Sequence, residues 1–90
     1  MYEIVYTTQM KHSLKLMKKR GKNLSKLSAV LKILSSGEEL PPKYKDHQLG
    51  GNYCKYRECH IEPDWLLIYK IECGILLLTL INTGSHSDLF

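Results

Sequence analysis

The fold is decided by residues 57–70, RECHIEPDWLLIYK, in which two strand-like segments flank a single proline. Pro63 cannot donate to a β-ladder, so it marks the turn of a hairpin. The pattern predicts strands at residues 52–61 and 64–71 and a third at 75–81, with a tight turn at Glu72-Cys73-Gly74. These three segments together predict an antiparallel meander.

The residues before the hairpin predict one strand and two helices. Tyr2 to Tyr6 alternates in the β manner. Two stripes at helical spacing follow, one of Met10, Leu14 and Met17, the other of Leu24, Leu27, Leu31 and Leu34. Thr7 or Thr8 is placed to cap the first helix and Asn23 the second, and Gly21 and Gly37 mark their ends.

Because only a few residues join the two helices, they are predicted to form an antiparallel hairpin. Residues 37–51 contain two prolines and three glycines and are predicted to be a loop. The predicted fold class is α+β: an N-terminal strand, the helical hairpin, and a three-stranded antiparallel meander that completes one sheet. All strands of this sheet are expected to be antiparallel, with the helical hairpin against one face. Residues 1–90 are expected to form a single domain.

Charge divides the chain into two parts. Residues 1–45 hold ten basic and three acidic side chains, whereas residues 46–90 hold three basic and six acidic ones. Three of the four histidines, His47, His60 and His86, lie in the second part. A basic surface favours polyanions such as nucleic acid, although a solvated lysine-rich helix face has the same composition.

Several classes of protein are disfavoured by the composition. The chain has no apolar run near membrane-spanning length, and its start lacks a signal-peptide pattern, so a cytoplasmic protein is expected. Cys54, Cys59 and Cys73 are then reduced thiols. They lack the paired close spacing of a zinc site, so no metal and no cofactor are predicted.

The hairpin turn carries a candidate acid–base pair. If residues 61–63 form the loop, His60 and Asp64 oppose each other, with Cβ atoms about 4.5–5.5 Å apart. Such a pair suits general acid–base catalysis, and a surface ion pair is the alternative of equal weight. His47 in the loop and His86 after the last strand complete the histidine set, although spacing alone does not bring them together.

Three segments in the second half, "PPKYKDHQLGG", "RECHIEPDWLLIYK" and "TGSHSDLF", resemble the YafQ branch of the RelE/ParE toxins of bacterial type II toxin–antitoxin systems. The resemblance covers residues 41–90 almost continuously, and the strand–helix–helix start agrees with a RelE-like fold. It implies a ribosome-dependent endoribonuclease that cuts messenger RNA without a metal ion and so inhibits translation.

The resemblance also implies which residues act. His47, His60, Asp64 and His86 match the catalytic residues of the family, and Phe90 matches its C-terminal phenylalanine. Phe90 is expected either to stack on a nucleobase or to anchor the chain end. We interpret His86 as the general acid, with the base drawn from the His60–Asp64 pair. His47 would orient the phosphate or serve as an alternate proton carrier, and the roles of His60 and His86 are exchangeable.

Asn82 departs from the family, in which many members carry arginine before the "TGSH"-like segment. Asparagine cannot supply that charge to a phosphoryl group, so either Arg57, Lys43 or Lys45 binds the substrate instead or the activity is weak. A non-cleaving RNA- or partner-binding homologue is therefore one alternative, and a ParE-like inhibitor of gyrase is another. Convergent histidines favour the nuclease.

The remaining expectations concern partners and aromatic residues. A set of basic residues is expected to contact ribosomal RNA or an acidic segment of a DinJ/RelB-like antitoxin: Lys11, Lys15, Lys18, Lys19, Arg20, Lys22 and Lys26. The other partners implied by the resemblance are the ribosome, messenger RNA and, only through the antitoxin complex, operator DNA; no membrane is expected. Trp65 is expected to pack in the core, with base stacking as the alternative.

Overall fold

The computed structural model describes residues 1–50, 56–72 and 77–89. The strands and helices in chain order are β1 (Glu3–Tyr6), α1 (Thr8–Lys19), α2 (Leu24–Ser35), a 3-10 helix (Pro42–Tyr44), β2 (His47–Gln48), β3 (Arg57–Glu62), β4 (Trp65–Glu72), β5 (Leu77–Gly84) and α3 (His86–Leu89). One five-stranded sheet has the order β1-β5-β4-β3-β2. The predicted α+β class is confirmed, with its N-terminal strand, helical pair and three C-terminal strands.

The sheet is mixed, and the expectation of a wholly antiparallel sheet was wrong. β1 pairs with β5 in parallel, from Glu3 opposite Leu77 to Tyr6 opposite Leu80. The β3–β4 and β4–β5 pairs are antiparallel, as the meander requires. Alternation of apolar residues shows which face a side chain occupies but not the direction of its strand. The pattern of β1 therefore could not indicate how it joins a partner so distant along the chain.

The predicted loop of residues 37–51 contains the edge strand β2. His47 pairs with Glu58, and Gln48 pairs with Arg57. A two-residue strand shows no alternation, so its sequence carries no strand signal. The pairing matters because it places His47 directly beside β3.

The hairpin turns at Pro63-Asp64 and not at residues 61–63. Glu62 pairs with Trp65, His60 pairs with Leu66, and the register shifts between His60 and Glu62. The predicted opposition of His60 and Asp64 was therefore wrong. The extra residue is Ile61, which is 7% exposed, so the bulge keeps an apolar side chain in the core.

Local signals at the helix ends act as predicted. The Thr7 hydroxyl accepts from the Met10 amide at 3.0 Å, and the Asn23 side chain accepts from the Ser25 amide at 3.1 Å. Gly21 and Gly37 follow the helices with φ of 78° and 84°. Glycine adopts this left-handed conformation without the steric cost that a Cβ imposes.

The two faces of the sheet have different roles. Cys59, Trp65, Leu67 and Tyr69 pack with the buried side of α1 and α2 in the main core. The opposite face carries Glu58, His60, Leu66 and Ile68, because successive residues of a strand alternate between faces.

Trp65 is fully buried, and its indole nitrogen donates to the Thr83 hydroxyl at 2.9 Å. The expected core role of Trp65 is therefore confirmed. Burial raises the pKa of the Cys59 thiol to about 12, so this thiol is protonated at neutral pH. Cys54, most of the predicted 72–74 turn including Cys73, and Phe90 lie outside the described residues. No helix within those described ranges is long and apolar enough to cross a membrane.

Candidate active site

Two histidines share one buried carboxylate on the sheet face that points away from the main core. His47 Nε2 lies 3.6 Å from Glu58 Oε1, and His60 Nε2 lies 3.7 Å from the same oxygen. The register explains this geometry, since His47 opposes Glu58 across β2 and β3 and His60 follows two residues later on the same face. The Glu58 side chain is 5% exposed, whereas that of His47 is 49% exposed.

Backbone carbonyls fix which nitrogen of each ring carries a proton. His47 Nδ1 lies 2.7 Å from the Lys45 carbonyl, and His60 Nδ1 lies 3.2 Å from the Pro63 carbonyl. A carbonyl only accepts, so each Nδ1 donates and each Nε2 is the position that exchanges a proton. A proton on Nε2 makes the contact with Glu58 attractive. The arrangement thus places the proton-exchanging nitrogens of two imidazoles within ion-pair distance of one carboxylate.

The turn Pro63-Asp64 connects this cluster to the end of the chain. His60 is anchored to the Pro63 carbonyl, and Asp64 Oδ1 accepts from the His86 backbone amide at 3.2 Å. Asp64 therefore holds the start of α3 and does not face His60 across the hairpin. The four predicted catalytic residues, His47, His60, Asp64 and His86, form one connected series of contacts with Glu58 and Pro63.

A capping motif holds α3 against the last strand. Asp88 accepts from the Ser85 amide at 2.8 Å, and the Asp88 amide donates to the Ser85 hydroxyl at 3.2 Å. Arg20 donates to both oxygens of Asp88, at 2.5 and 3.0 Å. A Cβ at Gly84 would lie 2.9 Å from Asp88 Cβ, so only glycine permits this close approach. Arg20, which was predicted to contact ribosomal RNA or the antitoxin, thus has a structural ion pair with Asp88.

The contribution of Asp88 to stability is expected to depend on pH. The hydrogen bond from Arg20, followed by that from the Ser85 amide, lowers the pKa of Asp88 below its ordinary value of 3.8. A carboxylate whose pKa is lowered on folding stabilises the fold fully when the pH is above its ordinary pKa. This stabilisation is lost as the pH falls toward the pKa in the folded state. We therefore expect the difference in unfolding free energy between wild type and Asp88→Asn to shrink on acidification. Urea denaturation at a series of pH values measures it, and a difference that grows in acid contradicts the account.

A groove of about 540 Å³ lies next to His60, and lysines line it. Lys43 and Lys45, the predicted substrate-binding lysines, are among its lining residues, together with Lys26 and Tyr44. Among residues 1–50, 56–72 and 77–89, no carboxylate lies within ion-pair distance of Lys43 or Lys45. Their charges are therefore available to an anion in the groove.

The other predicted basic residues lie on the helical side. Glu62 binds Lys26 at 2.7 Å and Lys22 at 3.4 Å, which partly neutralises both. Four lysines of α1 are exposed: Lys11, Lys15, Lys18 and Lys19.

Arg57 binds an acidic partner. Its Nη2 atom lies 2.9 Å from Asp46 Oδ2, and the hydrogen bond to Asp46 is the largest cause that raises the pKa of Arg57. The predicted substrate-binding role of Arg57 is weakened by this contact, because Asp46 already compensates its charge.

Asn82 lies on the same sheet face as the histidine cluster. It opposes Ile68 across β4 and β5, and Ile68 in turn opposes Glu58. Two strand spacings, roughly 10 Å, thus separate the backbones of Asn82 and Glu58. The Asn82 side chain accepts from the Ser13 hydroxyl and from the Thr83 amide at 2.9 Å. These contacts tie it to α1 and its own strand.

Glu58 was not among the predicted site residues. Its position two residues before His60 in a strand indicates a shared face, but the predicted register placed Asp64 opposite His60. In the part of the chain that the structure describes, no group of three or more His, Cys, Asp or Glu residues is arranged to hold a metal ion.

Comparison with known proteins places this chain in a family. Residues 2–90 match the model of YafQ, a bacterial toxin of type II toxin–antitoxin systems. The chain is 42% identical to the mRNA interferase toxin YafQ of Escherichia coli K12 over 89 aligned residues. The aligned region covers 98% of this chain and 95% of that protein. A metal-bound toxin from Helicobacter pylori has a TM-score of 0.94 at 41% identity over 100% of both chains. YafQ in the E. coli DinJ–YafQ complex has a TM-score of 0.90 at 40% identity, over 100% of this chain and 99% of that one.

Proposed function

Since the chain belongs to the YafQ family of type II toxin–antitoxin toxins, we propose that it is a messenger RNA endoribonuclease that cuts on the ribosome and inhibits translation. A similar protein from E. coli is an mRNA interferase toxin. The observation that carries the proposal is the pair of imidazoles on one buried carboxylate, connected through the Pro63-Asp64 turn to His86.

The reaction uses the nucleophile that RNA carries. The ribose 2′-oxygen attacks the adjacent phosphorus and the bond to the 5′-oxygen breaks, which leaves a 2′,3′-cyclic phosphate and a free 5′-hydroxyl. His60 Nε2 takes the 2′-proton, and Glu58 stabilises the resulting imidazolium from 3.7 Å. His86 gives a proton to the leaving 5′-oxygen. Each proton transfer contributes typically about 10²- to 10⁴-fold to the rate.

Carboxylate and carbonyl contacts keep the acid and the base in place. Asp64 fixes the backbone at His86, and the Pro63 carbonyl fixes the ring of His60. His47 orients the scissile phosphate or carries a proton as an alternate, through an Nε2 that faces the same Glu58 oxygen. The general base is thus assigned to His60 with Glu58 as its carboxylate partner, in place of the predicted pair of His60 and Asp64.

Lysines supply the phosphoryl charge stabilisation that the family's arginine would give. Lys43 and Lys45 line the groove beside His60, and such electrostatic stabilisation is usually the largest single contribution to catalysis. Phe90, which lies outside the described residues, is proposed to stack on a nucleobase at the chain end.

Asn82→Arg is expected to increase the cleavage rate. Position 82 lies on the sheet face of the cluster, two strands from Glu58, so an arginine long enough to reach across would add a charge that asparagine lacks. A gain of about tenfold corresponds to roughly 1.4 kcal/mol of transition-state stabilisation. Single-turnover cleavage on programmed ribosomes measures it, with Asn82→Gln as the uncharged control. Equal rates for the two variants would contradict a role for charge at this position.

Cleavage is expected to need no transition metal. The proposed proton transfers use only histidine and carboxylate side chains, although a similar toxin from H. pylori binds a metal. Toxin treated with EDTA and dialysed should therefore cut messages on magnesium-buffered ribosomes at the rate of untreated toxin. Loss of activity that copper or zinc restores would contradict the proposed chemistry.

The proposed partners follow from the family and from the surface charge. A DinJ/RelB-like antitoxin with an acidic segment binds the exposed lysines of α1, as E. coli DinJ forms a complex with YafQ. On the ribosome the same lysines contact RNA phosphates, and operator DNA is bound only through the antitoxin complex. This function belongs in the cytoplasm, where the ribosomes are.

The test of the function is primer extension on a message that is translated in the presence of the toxin. The proposal predicts discrete cuts in the reading frame, which disappear when the start codon is removed. Cuts that persist without translation argue against dependence on the ribosome. Growth arrest with an intact message argues for a non-cleaving toxin.

A further inference from the structure

A second polar network lies directly behind the histidine cluster, on the other face of the sheet edge. Asp46 accepts hydrogen bonds from the Tyr69 hydroxyl and from Arg57, at 2.9 Å from Nη2 and at 3.3 Å from Nε to the same oxygen. Arg57 and Tyr69 are direct partners across β3 and β4. One carboxylate thus joins the loop before β2 to the two inner strands.

Tyr69 anchors this network in the core. Tyr69 is 1% exposed, and its ring packs among the buried residues under the helices. Burial, followed by the hydrogen bond to Asp46, raises the pKa of Tyr69, so the phenol keeps the proton that it donates. Arg57 supplies a second permanent donor. Asp46 is therefore held from two directions by groups that do not lose their protons near neutrality.

Asp46 lies between the two residues that the proposed function uses in this segment. Lys45 has φ of 49°, a left-handed conformation that costs free energy for a residue with a Cβ. Its carbonyl accepts from His47 Nδ1 at 2.7 Å. The orientation of the His47 ring therefore depends on the backbone of residues 45–47 keeping this conformation.

β2 is too short to hold that backbone by its ladder alone. It has two residues and pairs with β3 at the edge of the sheet. Asp46 directly precedes His47, the first residue of β2. A contact that holds Asp46 on the helix side therefore restricts the backbone from which the His47 side chain projects to the other side.

We propose that Asp46 is a positioning residue for His47, which it holds against Glu58 through its own contacts with Tyr69 and Arg57. This inference rests on the proposed function for the role of His47 in cleavage, but the positioning itself is a structural claim. Arg57 acts here as part of the network and not as a substrate ligand.

The test combines a spectroscopic measurement with a rate. The variants are Asp46→Asn, which removes the charge with little change in size, and Tyr69→Phe, which removes only the hydroxyl. The control is Glu39→Ala, which removes an exposed carboxylate from the same surface cleft. Nitrogen-15 NMR of the imidazoles reports the share of His47 with its proton on Nδ1. We expect that share to fall in both variants and to stay constant in the control, while His60 is unchanged in all three.

The rate then connects the positioning to the reaction. Single-turnover cleavage should fall in Asp46→Asn, and combining Asp46→Asn with His47→Ala should be no slower than His47→Ala alone. Wild-type His47 signals in both folded variants would overturn the proposal. If His47→Ala cuts normally while the His47 signals move in Asp46→Asn, the positioning stands and the proposed use of His47 fails.

Discussion

His86→Ala is expected to lower the single-turnover cleavage rate by about 10²- to 10⁴-fold, the usual contribution of one general acid. The leaving 5′-oxygen must gain a proton as its bond to phosphorus breaks, and alanine has none to give. The His86 backbone amide donates to Asp64 Oδ1. Alanine keeps that amide, so the variant keeps this contact between α3 and the hairpin turn. The loss therefore reports the missing imidazole.

The matched control for this variant is Ser87→Ala, an exposed neighbour on α3. Both variants should unfold within about 0.5 kcal/mol of wild type, as exposed substitutions usually do. Only His86→Ala should lose cleavage. Wild-type cleavage by His86→Ala, measured by primer extension on a translated message, would remove His86 from the mechanism.

His60→Asn is expected to cause a second large loss, again of about 10²- to 10⁴-fold. The asparagine amide can still donate to the Pro63 carbonyl, which His60 Nδ1 contacts at 3.2 Å. It has no group that takes a proton at the position of Nε2. The turn should therefore survive and the general base should be lost.

The contact of His60 with Glu58 allows this prediction to be tested with a double variant. If Glu58 acts by stabilising the imidazolium of His60, then Glu58→Gln should slow wild type but should add little to His60→Asn. His12→Ala, on α1, is the control for loss of an unrelated histidine. If the rate losses of Glu58→Gln and His60→Asn multiply in the double variant, then Glu58 and His60 act independently, contrary to the proposed mechanism.

Local signals explain why the helices could be predicted from the sequence. Thr7 and Asn23 accept from amides within three residues, and Gly21 adopts its left-handed conformation next to the helix that it ends. These features depend only on neighbouring residues. The same reasoning placed Trp65 in the core, because alternation along β4 is also local.

Pairing between distant segments explains what could not be predicted. The parallel pairing of β1 and the short strand β2 depend on partners far along the chain. The bulge at Ile61 has a larger consequence, because it moves the hairpin turn to Pro63-Asp64. The inserted residue removes Asp64 from the position opposite His60, and Glu58, two residues before His60 on the same face, is the carboxylate beside its ring. The candidate histidines came from the resemblance to a family. Alternation along β3 could have indicated Glu58, whereas the contact of His47 with Glu58 and the role of Asp46 required the pairing of distant segments.

The central claim is that an imidazole frees the ribose 2′-oxygen to attack the neighbouring phosphorus. A message with a single 2′-deoxynucleotide on the 5′ side of the scissile bond tests it on the ribosome. We expect this message to resist the toxin while its all-ribose twin is severed. Equal severing of both messages would mean that water, or a group on the protein, makes the attack.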